Sequence, residues 1–236
     1  MAEGKPLKFL IIDGYTKEAR EQLQSGGASL AADLYNNMLL KCSPVPSQCD
    51  IIFPADPGVG LPAGEDIQNY HGVAWTGCSS CIYSGTPDVE VQIEFARECF
   101  RYGVPGFGSC WAAQIAVVAA GGKVEANPKG REMGIARDIQ LTDEGETHPL
   151  YAGKPKCFDA FTSHDDEITF LPDGATRLSG NEFTSVQSVA VNYENSEFWA
   201  VQYHPEYNLH EMARLMFCRL EKLIKLSFFQ NENEGM

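Results

Sequence analysis

The sequence predicts an α/β fold: a doubly wound, mostly parallel central sheet with helices on both faces. Two patterns and a length carry this. Short apolar strands alternate with helical stretches through the first half, and such alternation implies crossover connections and a parallel sheet. One short strand, after Tyr102-Gly103-Val104-Pro105, runs directly into an apolar, Ala-rich helix. At 236 residues the chain is long enough for one such domain around a single core.

Taken in order, Leu7 to Ile12 is an apolar strand, and Asp13-Gly14-Tyr15 turns out of it. A helix comes next, broken near Ser25-Gly26-Gly27 and resumed from Ala28 to Leu40. Cys49 to Phe53 is the second strand. Pro54 to Gly64, rich in Pro and Gly, is a loop. Its Gly58-x-Gly60 is not a dinucleotide fingerprint, because no helix opens there. Gly72 to Trp75 is the third strand. Asp88 to Tyr102 carries apolar residues at 89, 93, 95, 96, 99 and 100, the spacing of an amphipathic helix. The strand ending at Ser109 belongs near the centre of the sheet. The helix from Trp111 to Ala120 stops at Gly121-Gly122.

The second half is strand-rich. Runs at 123–126, 134–141, 158–163, 167–170, 175–180, 186–193 and 198–203 are separated by turn residues. Asn208 to Leu226 is a final helix with one apolar stripe, which is core. About 228–236 is a frayed tail. There are no repeats, no low-complexity tracts and no linker, so residues 1–236 read as a single domain.

Composition excludes some functions. The formal charge of −14 argues against nucleic acid or an anionic membrane as partner, since both need a basic face. No apolar run reaches the roughly 20 residues needed to cross a bilayer, and Lys5 and Lys8 precede only four apolar residues, too few for a signal peptide. Eight cysteines without a repeated spacing suit a reducing, cytoplasmic setting. Cys78-Ser79-Ser80-Cys81 is a lone close pair with no histidine at ligand spacing, so no metal and no cofactor is expected.

The chemistry concentrates at Gly108-Ser109-Cys110-Trp111-Ala112-Ala113-Gln114. A cysteine on a strand-to-helix turn, flanked two residues away by Gly108 and Ala112, has the pattern of a nucleophile elbow. The helix start behind it favours a thiolate. Near the other end, Trp199 to Tyr203 is strand-like and leads into His204-Pro205-Glu206. A residue before proline is held extended, so His204 can project from a strand end, and Glu206 can orient its ring. Cys110, His204 and Glu206 thereby supply nucleophile, general base and orienting acid. The Trp111 N–H, next after the nucleophile, is an oxyanion donor. Gln114, one helical turn on, shares the face of Cys110. His71, His148 and His210 have no such company and read as surface.

These two segments resemble the G-x-C-x-G-x-Q and V-Q-x-H-P-E motifs of class I (triad-type) glutamine amidotransferases, and the resemblance covers nearly the whole chain. It is closest to the glutaminase domain of GMP synthase and to free-standing gamma-glutamyl peptidases and hydrolases. The resemblance implies a flavodoxin-like sheet and attack of Cys110 on a γ-carboxamide. By the match of Trp75-Thr76-Gly77-Cys78-Ser79-Ser80 to the family's glycine-rich loop, it makes the Cys78 N–H the second oxyanion donor. It also makes Gln114, Ser163, His164 and Asp165 readers of the substrate's amino-acid head. Gly130-Arg131-Glu132-Met133-Gly134 matches a supporting stretch. Two departures stand out: Ala112 replaces a glycine, and Cys78-Ser79 replaces Gly-Pro.

Three functions stay open. One is a glutaminase whose ammonia goes to a separate synthase subunit. Another is a free-standing hydrolase of small-molecule γ-glutamyl amides. The third is a catalytically silent binding domain. The aromatic Trp111 beside the nucleophile and the lack of a fused synthase keep the hydrolase in view.

Overall fold

The computed structural model describes residues 6–235. The first half runs β1 (Leu7–Ile12), α1 (Lys17–Ser25), α2 (Ala31–Cys42), β2 (Ser47–Ile52), β3 (Gly72–Trp75), α3 (Pro87–Arg101), β4 (Gly106–Ser109) and α4 (Trp111–Ala119). The second runs β5 (Lys123–Ala126), β6 (Glu132–Leu141), α5 (Asp143–Thr147), β7 (Cys157–His164), β8 (Asp166–Phe170), β9 (Ala175–Gly180), β10 (Ser188–Tyr193), β11 (Ser196–Val201), α6 (Leu209–Cys218), α7 (Leu220–Lys225) and α8 (Glu232–Gly235).

The main sheet has nine strands in the order β2-β1-β3-β4-β11-β10-β9-β6-β7. From β2 to β11 every pairing is parallel. From β11 to β7 the pairings are antiparallel. β5 and β8 form a separate antiparallel pair. Register sets the site. Ile12 lies opposite Trp75, Trp75 opposite Gly108, and Ser109 opposite Val201. The loops leaving β1, β3, β4 and β11 therefore emerge at one level, at the carboxyl ends of parallel strands, where open α/β sheets bind ligands. The antiparallel half comes back to the same place, for the His204 amide donates to the Phe161 carbonyl of β7 at 2.8 Å.

Both faces of the sheet are covered. Leu10 and Ile12 of β1 join Trp75, Phe100, Trp111 and Ile115 in the larger core. Ile11, on the other face, packs with Ala32 and Tyr35 of α2. This is the period-2 alternation of a strand applied to two buried faces. Asp13 ties the halves of this layer together. It is buried, and its carboxylate accepts from the Tyr15 and Ala32 amides. The second bond caps α2, whose own N-cap residue, Leu30, has no side-chain acceptor.

Four details differ from the sequence reading. α5 lies in a stretch where the pattern predicts no element; Thr142 caps it by accepting from the Gly145 amide. The single helix expected over 208–226 is two, α6 and α7, divided at Arg219 with neither Gly nor Pro at the break. The tail carries α8, and Gly235 approaches Leu220 so closely that a Cβ there would lie 2.2 Å from its Cδ1. His148 is not a surface residue: its ring accepts from the Leu150 amide and lies edge-on to Trp199. Lys5 and Met236, which entered the sequence reading, lie outside the described residues.

Candidate active site

Cys110 occupies the turn between β4 and α4 with φ 53° and ψ −100°. An L-residue in that region is strained, at about 1–3 kcal/mol, and it persists because the surroundings over-determine it. The Cys110 amide donates to the Val201 carbonyl at 2.7 Å. Gly108 is the condition for the turn. A Cβ there would fall 2.3 Å from the Ala112 Cβ and 2.4 Å from the Trp75 carbonyl oxygen. The small residue that the elbow needs at 108 is thus glycine itself, and with that hydrogen in place Ala112 fits, fully buried.

His204 comes just after β11 and faces Cys110. Its Nδ1 lies 2.7 Å from Glu206 Oε1, and the two side chains are 3% and 1% exposed. The Tyr207 ring stacks on the imidazole, 4.2 Å between centroids and 3° from parallel. The chain of contacts continues inward: Ser109 Oγ donates to Glu206 Oε1 at 3.0 Å, and Tyr35 Oη donates to Ser109 Oγ at 2.6 Å. Glu206 Oε2 is buried with no partner among the described residues. Burial works to lower the His204 pKa, but the Glu206 carboxylate and the Cys110 sulfur outweigh it and carry the value up to about 9. The raised value makes the His204 ring a stronger base toward the neighbouring thiol. Cys110 Sγ lies 3.7 Å from the Ser163 carbonyl oxygen, within reach of a weak S–H bond.

The loop after β3 closes the site from the side. A Cβ on Gly77 would lie 2.8 Å from His204 Cε1, so the backbone passes directly beside the imidazole. Side chains hold this loop. Thr76 Oγ1 accepts from the Gly14 amide and donates to the Gly77 carbonyl. Cys78 Sγ donates to the Gly14 carbonyl at 3.1 Å and accepts from the Ser80 amide. Burial pushes the Cys78 thiol up to about 11, so it stays a neutral donor. Trp111 is the first residue of α4, and its amide has no preceding helical turn to bond to.

A cavity of about 590 Å³ opens over Cys110, lined by Cys78, Gln114, Ser163, His164 and Asp165 among others. Every residue read from the sequence as a substrate contact lines it. Their chemistry differs from the expectation in part. Gln114 Oε1 is buried without a partner among the described residues, an acceptor suited to an ammonium group. His164 offers no free ring nitrogen: Nε2 meets Glu132 at 2.8 Å and Nδ1 meets the Asp166 carbonyl at 2.9 Å. The Asp165 carboxylate is shared by Arg131 and Lys222. Burial works to raise its pKa, but the two cations together hold it below the usual value. The Trp111 indole lies under the site, not in it. It donates to buried Gln92 and rests on Gly14. It does not line the cavity and so says nothing about a leaving group.

Sequence reasoning missed Tyr15, Arg219 and the lining role of Arg131, all on the cavity wall. The motif match makes Arg131 a support, yet its two terminal nitrogens reach Asp165 and Ser163 Oγ. No local signal marks Arg219, which lies on a continuous helical pattern. Among the described residues no three His, Cys, Asp or Glu side chains converge as a metal site.

A strained cysteine, a histidine and a glutamate at the ends of neighbouring parallel strands define a layout suited to thiol-based acyl transfer. The glutamine amidotransferase class-I family pattern matches residues 82–223, and the chain belongs to that family; it is an amidotransferase-type hydrolase. It is 35% identical over 232 residues to the gamma-glutamyl-L-1-hydroxyisopropylamide hydrolase of a Pseudomonas species, covering 96% of this chain and 77% of that protein. It is 28% identical over 141 residues to one subunit of the glutamine-hydrolyzing GMP synthase of Methanoculleus marisnigri, covering 60% and 72% of the two. The fold matches a solved glutamine amidotransferase of Thermotoga maritima with a TM-score of 0.74 at 18% identity, over 96% of this chain and 87% of that one. No helix among the described residues is long and apolar enough to cross a membrane.

Proposed function

We propose that the chain hydrolyses the γ-carboxamide of glutamine or a related γ-glutamyl amide through a γ-glutamyl thioester on Cys110. The observation that carries this is the buried Glu206–His204 pair at 2.7 Å behind a cysteine held at φ 53°. His204 takes the Cys110 proton, and Glu206 stabilises the resulting imidazolium. The thiolate attacks the amide carbonyl. The Trp111 and Cys78 amides receive the oxyanion. His204 returns its proton to the leaving amine, and water activated by the same ring cleaves the thioester. Gln114 and the Ser163–Asp165 backbone and side chains hold the amino-acid head.

A free-standing hydrolase of small-molecule γ-glutamyl amides is the favoured form, supported by the Pseudomonas relative, which aligns over nearly the whole chain. The second form supplies ammonia to a separate synthase subunit, supported by the likeness to the Methanoculleus marisnigri protein. Residues 1–236 then act as one domain, in a reducing compartment such as the cytoplasm, where eight free thiols persist.

The test is release of the free amino acid, glutamate or aspartate, from L-glutamine, L-asparagine, D-glutamine and γ-glutamyl alkyl amides by the purified chain. Cys110→Ala should lose at least ~10³-fold in rate with its fold intact, and Cys78→Ala far less, since the oxyanion donor there is the backbone N–H and the thiol only helps to hold the loop. Near-normal turnover by Cys110→Ala, or equal rates on asparagine and glutamine, would sink the assignment.

A further inference from the structure

Arg219 sits where α6 gives way to α7, and its guanidinium turns inward to the wall of the cavity over Cys110. It donates to Ser163 Oγ at 2.6 Å and to Tyr15 Oη at 3.3 Å. Both partners are neutral: burial holds the Tyr15 phenol far above neutral pH. Among the described residues no carboxylate lies within ion-pair distance of Arg219, whereas neighbouring Arg131 and Lys222 share Asp165. Arginine stays protonated at every physiological pH and carries five N–H donors in a planar fork. Two named bonds leave most of that fork unused. Arg219 is partly buried, and a partly desolvated cation without a counter-ion is offset best when an anion comes to it. Ser163 links Arg219 to the candidate nucleophile: the Ser163 Oγ accepts from Arg219, and the Ser163 carbonyl oxygen lies 3.7 Å from Cys110 Sγ.

We infer that Arg219 is a substrate-binding residue that pairs with a carboxylate of the substrate and so sets specificity. The inference rests on the reading of the cavity as a γ-glutamyl amide site. A γ-glutamyl amide of an amino acid brings two such groups, the α-carboxylate of the glutamyl part and the carboxylate of the leaving amine, and the chemistry recognised is the same. Of the other cations on the cavity wall, Arg131 and Lys222 are taken by Asp165, so the fork of Arg219 is the one close to Cys110 left for a ligand among the described residues.

Binding decides the matter without relying on turnover. Affinities are measured by calorimetry for Cys110→Ala, with and without Arg219→Met, for γ-glutamylglycine, γ-glutamylethylamide and 4-aminobutyrylglycine. The second ligand lacks the amine-side carboxylate and the third lacks the α-carboxylate. Loss of a charge-assisted pair should weaken γ-glutamylglycine by about 10- to 100-fold. The loss should vanish for the one ligand that lacks the paired carboxylate, which identifies the source. Arg219→Lys, which keeps a charge but not the fork, should bind between the two. Equal weakening of all three ligands, or none, overturns the inference, because a purely structural arginine would not distinguish them. Thermal melts of each variant separate that outcome from unfolding. Failure of wild type to hydrolyse any of these amides would count against the proposed function and leave the binding comparison intact.

Discussion

Glu206→Gln keeps the shape of the side chain and removes its charge. Glu206 Oε1 accepts from both His204 and Ser109, while Oε2 is buried without a partner among the described residues. Placed with its oxygen at Oε1, a glutamine keeps both bonds but buries an NH2 where no acceptor waits. Turned over, it sets the NH2 against two donors. Either placement leaves a buried polar group unsatisfied, at about 1–3 kcal/mol. The electrostatic effect adds to this. Burial lowers the His204 pKa, yet Glu206 and Cys110 lift it from 6.5 to about 9. That is a preference for imidazolium of about 3 kcal/mol at 1.36 kcal/mol per pKa unit. Glu206 is the foremost of the raising groups, so its loss should lower the His204 pKa and weaken the ring as a base. The sign is that of a raised histidine. The contribution, to stability as to the ion pair, is complete below pH 6.5 and fades as pH rises through about 9. The alkaline limb of kcat/KM, which needs His204 to carry a proton for the leaving amine, should therefore lie near pH 9 in the native enzyme. It should fall by about one pH unit or more in Glu206→Gln. Activity at pH 8 should drop about 10- to 100-fold, less than the ~10³-fold expected of His204→Asn. An alkaline limb at the same pH in both proteins would refute the reasoning.

Other expectations rest on close approaches and buried bonds. Gly77→Ala places a Cβ 2.8 Å from His204 Cε1 and should cut kcat/KM at least tenfold, about 1.4 kcal/mol, with little change in melting temperature; unchanged kinetics would mean the loop does not confine the imidazole. Gly108→Ala meets Ala112 and the Trp75 carbonyl and should cost about 1–3 kcal/mol in urea unfolding. Adding Ala112→Gly should restore only part of that, because the carbonyl contact remains. Asp13→Ala strips the Tyr15 and Ala32 amides of their acceptor and should destabilise by about 1–3 kcal/mol per unsatisfied amide; a loss below about 0.5 kcal/mol would show that water replaces the carboxylate.

The sequence by itself determined whatever depends on neighbours along the chain. Strand and helix alternation in 7–120 comes from hydrophobic period and from Gly and Pro punctuation, and β1, β3, β5 and β9 begin and end where that pattern puts them. The elbow at Cys110 and the His204–Glu206 pair are local too, each within a few residues, so their residue types and spacing were legible as chemistry. What lies across the fold was not. The Arg219–Tyr15 contact joins residues 204 apart, Glu206–Ser109 joins residues 97 apart, and His164–Glu132 joins residues 32 apart. No periodicity encodes such pairs. They arise because the strand register brings the ends of β1, β3, β4 and β11 to one level while the antiparallel half returns β7 to the same place. Only that arrangement decides which charges are paired, as Asp165 is, and which are left facing the cavity, as Arg219 is. A side chain's partners are set by packing in three dimensions, and composition along one dimension carries no record of them.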